Sequence, residues 1–231
     1  MTCDGKWTAV LLAVLAAGCA RPQTGTEAAA EVGRGSIADN VYTHEFFHLE
    51  LTVPDGWELV PSAASGGLTD PGLAVSSGID DEKQHAIDRV ARRTLVLVTA
   101  YQVPPVESAD AALPSERQGL SPVSERGRPN LVILAEKLSD AEDIDSPSEY
   151  LERLQSHADQ SVLAYRFEGP PQTGAAIGEL DAALLEARTS AGGQRIYTAI
   201  VRGYALTAVL SYFHPADLDE LETIFAEIEA R

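Results

Sequence analysis

Apolar and polar positions recur with two distinct periods along the chain, and those periods predict its elements. Phe47, Leu49, Leu51 and Val53 alternate with His48, Glu50 and Thr52, the period of a half-buried strand. Pro54-Asp55-Gly56 is a turn, and a short strand resumes from Trp57 to Val60. Ile79, Ala86, Ile87, Val90 and Ala91 fall on one side of a helix over residues 79–92. Residues 94–103 (TLVLVTAYQV) form a β-rich run that Pro104 and Pro105 close. Residues 104–129, rich in Pro, Ser, Glu and Arg, are a long irregular loop, and 131–137 is another strand. Ser146-Pro147 opens a helix with Tyr150, Leu151 and Leu154 facing inward.

The second half is dominated by strands. Residues 161–167 form one. Residues 177–188 suit a helix by their Ala, Leu and Glu content, but the Gly192-Gly193 turn before a clear strand favours a hairpin, so a strand is expected. Residues 196–201 and 205–212 pair around Arg202-Gly203. A helix from Pro215, with Leu218, Leu221, Phe225 and Ile228 as its apolar stripe, ends the chain. The order predicts an α+β fold: a mainly antiparallel sheet flanked by helices.

The N-terminus follows a different pattern. Lys6 precedes an apolar run from Trp7 to Ala17. A run of roughly a dozen residues is too short to cross hydrocarbon, which needs about 20. A charged start, a short apolar run and small residues after it make a secretory signal. Ala16-Ala17-Gly18-Cys19 resembles a lipobox, with cleavage between Gly18 and Cys19 and a lipid on the Cys19 thiol. Residues 1–18 are thus expected to be a lipoprotein signal peptide, and 19–40 a lipidated cysteine with a flexible tether of Pro, Gly, Thr, Ala and Glu. Residues 41–231 would be a single domain. Cys3 is the other of two cysteines, so the mature domain would have no thiol and no disulfide. Ala20 is not the Asp that often retains enteric lipoproteins at the inner membrane. The periplasmic face of the outer membrane is therefore favoured, with the inner membrane or cell surface as alternatives.

Charge narrows the partners. Net charge is −18, and Asp4 and Lys6 cancel within the signal segment. Such a surface repels phosphate backbones and anionic headgroups, so no nucleic acid is expected and lipid must hold the protein at the membrane.

One string imitates a catalytic motif. His44-Glu45-Phe46-Phe47-His48 is a literal H-E-x-x-H, which binds zinc when both histidines lie one turn apart on a helix. The flanking period of two places it on a strand, where residues four apart sit roughly 13 Å from each other. No zinc, other metal or cofactor is expected from it. Asp80-Asp81-Glu82 reads as the acidic first turn of a helix. Residues 140–145 lack the glycine and ligand spacing of a calcium loop. His85, His157 and His214 read as surface residues, and Ser77 stands in no G-x-S-x-G elbow. Phe46, Phe47, Trp57, Tyr197, Tyr204 and Tyr212 read as core. No catalytic residue is expected.

Two stretches carry a family resemblance. VYTHEFFHLELTVPDGW at residues 41–57 resembles the opening of PsbP-like proteins, an aromatic-rich segment leading to a Pro-x-Gly-Trp turn. IGELDAALLEARTSAGGQRIYTAIVRGYALTAVLSY at residues 177–212 resembles their closing hairpins, with Ile-Gly at the start and Arg-Gly-Tyr before the long strand. A helix like that at 218–228 follows in the family. There, His44 and His48 fill positions commonly held by Asn and Gly. The resemblance implies an αβα sandwich and no shared catalytic residues. Members include extrinsic photosystem subunits, a GTPase-binding nuclear import factor and bacterial lipoproteins, mostly binding or assembly modules. The expected function is a membrane-anchored envelope lipoprotein that binds another envelope protein or helps assemble a complex. The alternative is a carrier of a lipid or apolar small molecule, and less favoured is a zinc hydrolase using the HEFFH string.

Overall fold

The computed structural model describes residues 32–61, 93–103, 128–139, 144–158, 165–189 and 192–231. The chain enters with β1 (Ser36–Ala38), which pairs antiparallel with β2 (Val41–His44). Asp39 and Asn40 join them with φ of 49° and 60°, a left-handed region these two side chains tolerate. Residues 45–48 then turn the chain back along β3 (Leu49–Thr52), with His44 opposite Leu49 and Val41 opposite Thr52. This corrects two expectations. The single strand at 47–53 is instead the return half of a hairpin. Ordered structure also starts ahead of Val41, because β1 lies inside the segment expected to be a flexible tether, and Val32 is already buried. The signal segment, Gly18, Cys19, the helix at 79–92 and most of the loop at 104–129 lie outside the described residues.

The main sheet is built from β4 (Trp57–Pro61), β5 (Thr94–Gln102), β6 (Asn130–Lys137), β7 (Arg166–Phe167), β8 (Gln172–Ile177), β9 (Leu180–Arg188), β10 (Gly193–Val201) and β11 (Tyr204–Tyr212). Its order is β4-β5-β6-β11-β10-β9-β7, with β8 also on β9, and every pairing is antiparallel. Residues 180–188 are a strand, as the Gly192-Gly193 turn suggested. Ile177 belongs to the strand before it, across a turn at Gly178-Glu179. Of the strand expected at 161–167, the described part is the two residues of β7. Two helices stand among the described residues, α1 (Pro147–Ala158) and α2 (Pro215–Ala226), and no helix there is long and apolar enough to cross a membrane.

Strand alternation puts the two helices on opposite faces. Tyr150, Leu151 and Leu154 of α1 cluster with Ala183, Leu185, Ile196, Ala205 and Val209. Leu221 and Ile224 of α2 cluster with the intervening residues, among them Leu95, Ile133, Leu206 and Leu210. The result is the expected α+β arrangement, a mainly antiparallel sheet between helices. On the face that carries α2, one row of the sheet mixes large and small side chains: Leu95, Ala135, Leu206, Ala199 and Ala182 are successive cross-strand partners in the same core cluster.

Trp57 explains the turn that precedes it. Its ring is buried, and Nε1 donates to Glu220 Oε1 of α2 at 2.7 Å. Gln102 Nε2 donates to the other oxygen at 3.0 Å. The carboxylate thus ties the β4–β5 end of the sheet to the helix. Phe225 departs from expectation: it is half-buried, not core, and stacks on Tyr197 with ring centroids 4.2 Å apart. Phe225→Ala should therefore cost about 1.5–2.5 kcal/mol in urea unfolding, below the range of about 3–5 kcal/mol for a fully buried ring.

Candidate functional site

The described surface has an open groove of about 450 Å³ where the β2–β3 turn meets the C-terminal tail. It is lined by Thr43, His44, Glu45, His48, Leu49, Glu50, Glu229 and Arg231. Backbone pairing builds it. Glu50 N–H donates to the Glu229 carbonyl at 2.7 Å, and Glu229 N–H returns a bond at 3.0 Å. The Glu179 N–H donates to the Ala230 carbonyl at 2.8 Å, so the tail links the small sheet to the β8–β9 turn. Gly178 permits that crossing: it has φ +59°, and a Cβ there would run into the Ala230 backbone. Arg231 lies 3.4 Å from Glu229 and 3.9 Å from Glu179, both pairs exposed. The rim is therefore mainly acidic.

The H-E-x-x-H string forms the turn itself. His44 ends β2, and His48 is the last turn residue, with φ +47°. The expectation that both histidines lie on one extended strand is overturned, and its 13 Å spacing does not apply. Glycine would adopt this conformation without strain, so His48 holds it at a backbone cost. The two imidazoles occupy different environments: His48 is exposed, while His44 is 2% exposed. Among the described residues, no group of three or more His, Cys, Asp or Glu side chains is placed to hold a metal ion.

His44 sits in an aromatic nest. Its ring centroid lies 5.0 Å from Phe47 and 6.2 Å from Tyr42. Phe47 in turn meets Tyr204 edge-on at 5.7 Å. Among the described residues neither ring nitrogen of His44 meets full hydrogen-bond geometry, though the Gly33 and His44 backbones lie close enough to act on the ring. Burial pushes its pKa down, and the Gly33 carbonyl, the His44 backbone and the Glu45 charge oppose that only in part. Burial thus favours the neutral imidazole. Above the nest, Arg202 sits over the Phe46 ring, 5.4 Å from its centroid, and donates from Nη1 to the Phe46 carbonyl. This pins the 45–48 turn to the β10–β11 turn.

The other residues singled out from sequence do not converge on this groove. His214 is exposed ahead of α2, where its N–H and that of Phe213 donate to Asp217 Oδ2 at 2.8 and 3.0 Å. This accounts for the start of the helix. His85, Ser77, Asp80, Asp81 and Glu82 lie outside the described residues, as do 140–143. Phe47, Trp57, Tyr197 and Tyr204 are buried as expected, while Phe46 and Tyr212 are half-buried. Sequence reasoning missed the tail residues Glu229 and Arg231, whose place in the groove depends on a bridge between positions 50 and 229. No local pattern announces a pairing across so many residues.

No protein-family model matches the chain, and no curated protein does. Among solved structures it is similar to the solution structure of cyanobacterial PsbP (CyanoP) from Synechocystis sp. PCC 6803. The two are 14% identical, with a TM-score of 0.43, over 85% of this chain and 98% of that one. The α+β class rests on strand order and helix placement in this chain.

Proposed function

We propose that this chain is a lipid-anchored lipoprotein of the bacterial envelope, of PsbP-like type, that acts as a non-enzymatic protein-binding or assembly module. The observation that favours a module over a carrier is the filled core layer on the sheet face that carries α2. Leu95, Leu97, Ile133, Leu206, Leu210 and Leu221 fill it, each 0–1% exposed. A carrier needs an apolar cavity of several hundred cubic ångströms at such a place. The groove that the described residues do form is open and rimmed by charge. The envelope location is supported by the apolar run ending in Ala16-Ala17-Gly18-Cys19, and Ala20 favours the outer membrane's periplasmic face.

Anchoring is tested by Cys19→Ala. This variant should incorporate no labelled palmitate and should leave the membrane fraction under alkaline wash. Retained label on the variant would overturn the lipoprotein reading. The module reading is tested by cross-linking in intact cells, which should give discrete adducts of the full chain with envelope proteins. One non-covalent lipid per purified chain, removed by solvent extraction, would instead indicate a carrier.

A further inference from the structure

From the backbone left open along β8, we infer that this strand accepts an extended, neutral-to-basic segment of a partner protein as an added strand. The inference rests on the protein-binding reading above and assigns it a place. β8 (Gln172–Ile177) pairs with β9 on one side, and β9 is its one hydrogen-bonded neighbour among the described residues. Gln172, Thr173, Gly174 and Ala176 are exposed. A strand in this position presents a row of unpaired N–H and C=O groups, the template for strand addition.

Proteins ordinarily guard such edges with charge, proline, very short strands or bulges, and of these β8 has only a single bulge. The rest of this sheet's edges follow that rule. β7, on the same side of β9, is two residues long and carries Arg166, and Pro170 and Pro171 follow it. β4, at the opposite end of the sheet, carries Glu58 and finishes on Pro61. β8 has neither a charge nor a proline in its six residues, QTGAAI. Its one irregularity is the bulge between Thr173 and Ala175, where Gly174 has φ +84° and open space around it. Gly174, Ala175 and Ala176 are small, and among the described residues nothing lies within 4 Å of a Cβ added at Gly174.

Charge selects the occupant. A second copy would bring another −18 chain to the same edge. Around β8 stand Asp181, exposed and opposite Ala176, and Glu179, which is exposed and lies 3.9 Å from Arg231. Glu168, at the other end, is paired with Arg188. These acids favour a strand flanked by Lys or Arg and disfavour self-pairing.

The experiment uses the full chain in detergent with a synthetic peptide of alternating Val and Thr flanked by lysines. Its controls are a Glu-flanked analogue and one N-methylated on alternate amides. Amide exchange at residues 172–177 should slow by about tenfold or more with the Lys-flanked peptide. The Glu-flanked peptide should bind about tenfold more weakly, and the N-methylated one should protect nothing. Ala176→Lys should abolish protection at an unchanged melting temperature. If that variant misfolds, Thr173→Lys replaces it, and the N-methylated control needs no variant. Unchanged exchange at 172–177, or protection indifferent to flanking charge, would overturn the inference. So would a dimer in sedimentation that already protects those amides without peptide. A photo-cross-linker at position 176 separates the two levels. Adducts mapping to a basic extended segment support both. Adducts formed only from positions elsewhere on the chain would leave the module reading standing and remove β8 as its site.

Discussion

Leu206→Ala is expected to lower the free energy of unfolding by about 3–5 kcal/mol, at the upper end of the range for buried leucines. Leu206 is fully buried on β11, which has β6 on one side and β10 on the other. Its cross-strand partners are Ala135 and Ala199. The cost of a large-to-small change grows with the cavity it leaves, and a cavity shrinks only if neighbours can lean into it. Alanines on both flanks cannot lean, and the strands are held by pairing on both edges. Leu206→Val, which removes less volume, should cost about 1 kcal/mol. Thr173→Ala, exposed on β8, should stay within about 0.5 kcal/mol. Urea midpoints at unchanged m-values would measure all three. A loss below about 1.5 kcal/mol for Leu206→Ala would mean that this row of the core can collapse, and that its packing is looser than described.

The row was legible because its strands are long and rich in β-formers. β5, β6, β10 and β11 each carry eight or nine residues between clear turn signals. Arg202-Gly203 marked the β10–β11 hairpin, and Ser146-Pro147 marked α1. The small N-terminal sheet was not legible, for two different reasons. Asp39-Asn40 is a recognisable two-residue turn, but the flanking strands are only three and four residues long and gave no period to read. The turn at 45–48 contains no Gly, Pro, Asn or Asp. Its left-handed residue is His48, and Phe47 buries inward in step with Leu49 and Leu51, so the turn imitates a strand. β8 failed for want of composition: Gln, Gly and Ala have low strand propensity, and the strand exists because the free side of β9 offers it partners. The burial of His44 was hidden for a related reason. Its neighbours Tyr42 and Phe47 come together only once the hairpin closes.

That burial makes stability depend on acid. The folded state holds the His44 pKa below its ordinary value, chiefly through desolvation, while the unfolded chain leaves it near 6.5. Between those two values the unfolded state binds the proton and the folded state does not. Stability from this residue is therefore complete above about pH 6.5 and falls as pH drops toward the folded pKa, by about 1.4 kcal/mol per unit at most. Other groups on this acidic chain titrate in the same window, so the residue's share must be isolated by difference. His44→Phe keeps an apolar ring in the nest and removes the titration. Its unfolding free energy relative to the parent should be constant above about pH 7 and should rise steadily in the variant's favour below about pH 6. The effect should also be local. Amide exchange in β2 and β3 should quicken before that of β10 and β11, because the small sheet is held by the tail bridge at Glu229 and the Arg202 contact to Phe46. Parallel profiles for the parent and His44→Phe from about pH 7 to 4.5 would mean that His44 takes up its proton without cost, and that its ring is solvated in the folded protein.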